Sequence, residues 1–162
     1  SSINGCRGID HGAWVPLRWM YPAADVPVVQ LSVQPGLGTP HHLQMGRALQ
    51  PLAERDVLVI GSGHVTHNLS DWMTSRGASQ PLPYVSAFSG WLERNLADGD
   101  DDALLHYREQ APEAARAHPT EEHFLPLYVA FGAAGTEVNS KRIYAGMEGP
   151  ALSMDAYRFD SR

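Results

Sequence analysis

Val57-Leu-Val-Ile-Gly-Ser-Gly-His-Val-Thr-His-Asn-Leu69 is the stretch on which the reading of the fold turns. Its first four residues are apolar and mostly β-branched, the pattern of a short strand buried on both faces. Gly61 and Gly63 end that run and let another group come close to the backbone. His64, His67 and Asn68 follow at once. The carboxyl end of a buried strand is where open α/β sheets place ligands. An imidazole there can exchange protons near neutral pH or bind a metal. It can equally do no more than satisfy hydrogen bonds around the turn.

Working outward, Val26-Pro-Val-Val-Gln-Leu-Ser-Val33 reads as a second strand, with Pro27 tolerated near its start. Thr39-Pro40 looks like an N-cap followed by proline at the first helical position. Leu43, Leu49 and Leu52 then share a face of a helix running to about Glu54. Strand, helix and strand at this spacing predict a right-handed βαβ unit with parallel strands. Ala13–Tyr21 is expected to be helical, and Ser70–Pro83 irregular. Tyr84–Ala97 carries Val85, Phe88, Leu92 and Leu96 at helical spacing. Shorter helices are expected over Ala103–Gln110 and Pro112–Ala117. A longer one, capped by Thr120 and kinked at Pro126, is expected to reach Ala134. Lys141–Tyr144 and Ala151–Phe159 read as a terminal hairpin around Met147–Pro150. The expected fold class is therefore α/β: a central, mostly parallel sheet flanked by helices, with a C-terminal β-hairpin, in a single domain over residues 1–162.

A length of 162 residues, with 43% hydrophobic and 19% charged content, describes an ordinary globular domain. No apolar run approaches the roughly 20 residues that cross a bilayer, and no signal peptide opens the chain. A net charge of -6 and the absence of a Lys/Arg-rich run argue against nucleic acid or membrane as partner. Cys6 is the single cysteine, which excludes an internal disulfide framework and suits a reducing cytoplasm. Eight histidines point towards imidazole chemistry. The chain starts at Ser1 without Met and reaches Asp10-His-Gly12 almost at once, which suggests that something upstream is absent.

Four histidines stand out by local chemistry: His11, His67, His118 and His123. His41, His42, His64 and His106 are weaker candidates, the first two expected at the surface of a helix's opening turn. With Thr120 as N-cap, His123 would occupy the third helical position. There the helix dipole disfavours imidazolium by up to about 1 kcal/mol, while Glu121 and Glu122 act the other way. The alternative is that His123 only assists the cap. His118-Pro-Thr-Glu-Glu-His123 matches no zinc-hydrolase spacing.

These residues, taken in order, carry a resemblance. Gly8-Ile-Asp-His-Gly-Ala-Trp-Val-Pro-Leu17, Met20–Ser32, His42-Leu-Gln-Met-Gly-Arg-Ala-Leu49, Gly61–Leu69, Pro119-Thr-Glu-Glu-His-Phe-Leu-Pro-Leu127 and Leu152-Ser-Met154 resemble the class III extradiol ring-cleaving dioxygenases, in the 4,5-DOPA dioxygenase-like branch. The resemblance implies an Fe(II) or Zn(II) enzyme that opens a catechol-type ring with O2. It implies His67 as acid/base residue and His123 as metal ligand. His11 would line the substrate pocket and assist catalysis, with His67 and Asn68 also contacting substrate. Family members carry two further metal histidines in an upstream segment that has no counterpart here. The chain would then be the C-terminal portion of such a domain. It would need a complementary segment or chain to supply the remaining ligands, within an oligomer. The alternatives are a non-catalytic remnant or regulatory subunit that keeps the fold, and a metal hydrolase, for which no signature is present.

Overall fold

The computed structural model describes residues 8–161, so Cys6 lies outside the described residues. Internal contacts divide the chain into two compact units, Ser1–Ser32 and Val33–Arg162.

In the first unit, Asp10 caps helix α1 (His11–Met20) by accepting from the Ala13 N–H at 3.3 Å. Gln30 closes the unit. Its Nε2 donates to Asp10 Oδ2 at 2.5 Å, and its Oε1 accepts from the Asp10 N–H at 2.9 Å. No residue of α1 is buried. Val26–Ser32 forms no regular element and, among the described residues, has no strand partner, and Val29 is 87% exposed. The strand expected over Val26–Val33 is therefore not formed as part of a sheet. An extended run becomes a strand only when a neighbour takes up its backbone N–H and C=O groups.

The second unit begins with α2 (Gly38–Leu49), which runs on as a 3-10 helix over Gln50–Arg55. It continues through α3 (Leu69–Thr74), α4 (Pro83–Asp98), α5 (Asp101–Leu105), α6 (Tyr107–Gln110), α7 (Ala114–Ala117) and α8 (Leu125–Ala133). The core forms where the heptad-like pattern of α4 predicts it: Val85, Phe88, Leu92 and Leu96 are all buried. They pack with Leu104, Tyr107, Phe124, Leu125 and Tyr128 in one cluster. Helix α8 is apolar on every side, as befits a helix enclosed by its neighbours. It crosses α2 at two glycines. A Cβ on Gly46 would collide with Val129 O, and one on Gly132 with Leu43 O, so the backbones touch directly. Two tyrosines and a threonine tie the short helices down. Tyr128 donates to Leu104 O at 2.6 Å, Thr39 to Leu105 O at 2.7 Å, and Tyr107 to Glu121 at 2.8 Å.

The chain ends in β1 (Val138–Tyr144), β2 (Met147–Glu148), β3 (Leu152–Ser153) and β4 (Ala156–Ser161). β1 pairs antiparallel with β4, and β2 with β3, so the expected C-terminal hairpin is present. These two antiparallel pairs are the only sheets among the described residues, and the expected central parallel sheet is not formed. The mixed helix-and-strand composition holds; the parallel arrangement does not. Among the described residues Val57–Ile60 has no ladder partner, and its Leu58 is 62% exposed. This run is half of a strand's environment. Gly61 lies flush against Pro126 O and Ala130 of α8, while Val57, Leu58 and Ile60 are all exposed and only Val59 is half-buried.

Three local expectations are also corrected. Helix α8 starts at Leu125, so Pro126 sits in its first turn, where proline needs no intrahelical donor and causes no kink. Thr120 is therefore not its N-cap, and His123 precedes the helix instead of riding in it. His42 is fully buried, not at the surface. Its Nδ1 meets Gly38 O at 2.5 Å and its Nε2 accepts from the Gln34 N–H at 3.0 Å, so both ring nitrogens are satisfied. Among the described residues, no helix is long and apolar enough to cross a membrane.

Candidate active site

The segment that follows Gly63 is fastened to three parts of the second unit, and this fastening builds the site. The His64 N–H donates to His123 O at 2.8 Å, the Val65 N–H to Ser153 O at 3.2 Å, and the His67 N–H to Ala117 O at 2.8 Å. Buried Thr66 donates to Ala151 O and accepts from the Ser153 N–H, both at 2.8 Å. A Cβ on Gly63 would collide with His123 O, so only glycine allows the two segments to meet. Two loops about 60 residues apart in sequence are thereby locked together.

Three imidazoles result. His67 and His123 stack, with ring centroids 3.6 Å apart and planes at 12°. His64 stands beside both, at 5.1 Å from His67 and 6.0 Å from His123. The crowding has an electrostatic consequence. Burial, then the neighbouring His123 and His64, pull the His67 pKa down to about 4. Burial and His123 also lower that of His64, with Glu148 opposing. Both rings are therefore neutral at pH 7 and available as proton acceptors.

The stack also separates roles. In parallel rings at van der Waals distance, the in-plane lone pairs cannot converge on one cation, so His67 and His123 cannot both ligate the same ion. His123 is the better suited of the two. Its Nδ1 is buried without a directed hydrogen bond, with Glu122 Oε1 at 3.3 Å, and among the described residues its Nε2 makes no hydrogen bond. A half-buried imidazole with one nitrogen open to a ligand is a fit ligand for iron or zinc. It is one ligand: among the described residues no group of three His, Cys, Asp or Glu side chains could hold a metal ion.

Residues 1–152 match the family described as the catalytic LigB subunit of aromatic ring-opening dioxygenase. The chain belongs to this LigB family. It is 45% identical over 155 residues to 4,5-DOPA dioxygenase extradiol of Beta vulgaris, which covers 96% of this chain and 57% of that one. A protein of the same name from Escherichia coli K12 is 34% identical over 150 residues, covering 91% of this chain and 55% of its own. A crystal structure of an uncharacterized protein from Escherichia coli K12 superposes with a TM-score of 0.83 at 33% identity, over 93% of this chain and 62% of that one. The LigB-family chain thus spans a little over half the length of the curated relatives it matches.

Of the residues singled out in the sequence, the structure brings His67 and His123 into contact. His11 is the first residue of α1, in the other unit, and is exposed. Asn68 sits directly after His67, but its amide is occupied. Oδ1 caps α3 by accepting from the Asp71 N–H at 2.9 Å, and Nδ2 donates to Arg116 O at 2.8 Å. His118 points into the core instead of joining the three clustered imidazoles. It stacks on Phe124 with centroids 4.6 Å apart, and its Nε2–H donates to Val65 O at 2.7 Å, which holds the histidine-bearing segment in place. His64 is the residue the sequence undervalues. In a straight strand, positions three apart point to opposite faces. A bend at Val65 turns His64 and His67 to the same side.

Proposed function

We propose that this chain is the C-terminal portion of a metal-dependent extradiol dioxygenase that opens a catechol-type ring with O2. The stacked His67–His123 pair carries the reading, because it sets a neutral proton acceptor against a free imidazole ligand. His123 would hold Fe(II) or Zn(II) through Nε2, alongside ligands from polypeptide outside this sequence. A bound metal supplies a Lewis-acidic centre at which diol and O2 can be held side by side. The chain's own residues do the rest. His67 takes a proton from a diol hydroxyl and later returns one. An anionic substrate oxygen beside its ring raises its pKa from about 4 towards neutrality, the range in which acid–base catalysis is efficient. His64 and the His118-anchored backbone keep His67 in place. The exposed apolar Leu58 and Ile60 suit a sheet completed by that outside polypeptide, within an oligomer.

The test is oxygen uptake with catechol, run with the chain alone and with the portion of the Beta vulgaris relative that this chain does not match. Uptake and a yellow ring-opened product are expected only in the second case. His67→Ala should lower turnover at least 100-fold, roughly the contribution of general acid–base catalysis, and leave the metal bound. His123→Ala should lose the metal. Absence of uptake and of metal in the combined preparation would make the chain a non-catalytic remnant.

A further inference from the structure

We propose that Glu122 is a positioning residue that fixes the tautomer of His123, so that Nε2 is the nitrogen left free to ligate. The inference rests on the reading of His123 as a metal ligand. A neutral imidazole carries one N–H. In His123 the nitrogen facing inward is Nδ1, which is buried and has no directed hydrogen bond, and the nearest acceptor is Glu122 Oε1 at 3.3 Å. With the proton on Nδ1, a polarised N–H faces a carboxylate. With the proton on Nε2, the Nδ1 lone pair would face that same carboxylate, lone pair against lone pair. The carboxylate therefore selects the Nδ1–H form even though the contact is longer and less aligned than a full hydrogen bond.

Glu122 is itself held. The Thr120 hydroxyl donates to the same Oε1 at 2.8 Å. The backbone of His123 is fixed from the other side by the His64 N–H and by close packing of Gly63. Thr120, Glu122 and His123 thus form a short chain of contacts whose last free atom is Nε2. Metal-ligating histidines commonly give their second ring N–H to a carboxylate, which orients the ring and raises its basicity. None of the three residues Thr120, Glu122 and Gly63 would touch the metal.

Ring-nitrogen NMR of the full, metal-free chain at about pH 8.5, two units above the usual histidine pKa, reads the tautomer directly. The wild-type His123 should be in the Nδ1–H form. Glu122→Ala should shift it towards Nε2–H, and zinc titrated into the chain combined with the portion of the Beta vulgaris relative that it does not match should bind about 10- to 100-fold more weakly. Thr120→Val, which frees Glu122 without removing it, should give a smaller shift of the same sign and serves if Glu122→Ala does not fold. A wild-type His123 already in the Nε2–H form, or a tautomer indifferent to both substitutions, overturns the proposal. Unchanged zinc affinity after a clear tautomer switch would uphold the hold of Glu122 on the ring and instead remove His123 from the metal.

Discussion

Lowering the pH should destabilise the second unit through His118, and the size of the effect can be worked out. The ring is fully buried among Phe88, Tyr107 and Phe124. Burial pulls its pKa from the ordinary 6.5 down to about 4, against the Val65 hydrogen bond, which acts the other way. In the unfolded chain the ring takes up its proton near pH 6.5; in the folded chain it does so only near pH 4. The unfolded state therefore binds more protons between these values. The stability this ring confers is fully present above pH 6.5 and is lost as the pH falls towards 4. Two and a half pH units at about 1.4 kcal/mol each amount to about 3 kcal/mol, a large share of the 5–15 kcal/mol typical of a domain. Urea unfolding followed by far-ultraviolet circular dichroism at pH 7, 6, 5 and 4 measures it. Carboxylates and the other histidines also contribute to the slope, so the comparison is with His118→Gln. Its amide can still donate to Val65 O but does not titrate. The variant should start lower, having lost ring packing, and fall less steeply, the two curves converging by about 3 kcal/mol at acid pH. Parallel curves would mean that His118 is not held neutral in the fold.

Two further substitutions test the packing. Gly46→Ala should cost about 1–3 kcal/mol or more in thermal or urea unfolding, because the new methyl meets the Val129 carbonyl on a rigid helix. A neutral result would mean that α2 and α8 do not cross backbone to backbone. Asn68→Ala removes the cap of α3 and the donor to Arg116 O, for a loss of about 1–2 kcal/mol. Amide exchange confined to Leu69–Thr74 and Ala114–Ala117 should rise with it, and unchanged exchange there would remove Asn68 from this structural role.

What the sequence could show depended on whether the relevant partner is local. Helix α4 was legible because its buried face is written into four residues at helical spacing, and the terminal hairpin because its two strands and turn are contiguous. Val26–Val33 and Val57–Ile60 carry the β-branched composition of strands, but neither is one in the structure. A sheet is a relation between segments, and among the described residues neither run has its partner. The proline of α8 was misread by a few residues, since composition does not say whether Pro126 lies inside a helix or in its first turn. The expected helix over Ala103–Gln110 breaks at His106, whose ring nitrogen competes for the Asp102 carbonyl at 2.9 Å. In the candidate site, His67 and His123 stood out by local chemistry, and the family resemblance implied their roles. Their stacking was not legible, because it depends on Gly63 meeting a carbonyl some 60 positions away. His64 was ranked among the weaker candidates because a single bend reverses the direction its strand position implies.

The bare ribbon Val57–Ile60 has a practical consequence. With its backbone polar groups unclaimed by a ladder among the described residues and three aliphatic side chains, Val57, Leu58 and Ile60, facing water, it offers the template on which identical copies add edge to edge. A concentrated solution of this polypeptide alone should gel or precipitate with a rise in cross-β signal. Lysine placed at position 58 or 60 would act as a gatekeeper that keeps it dispersed.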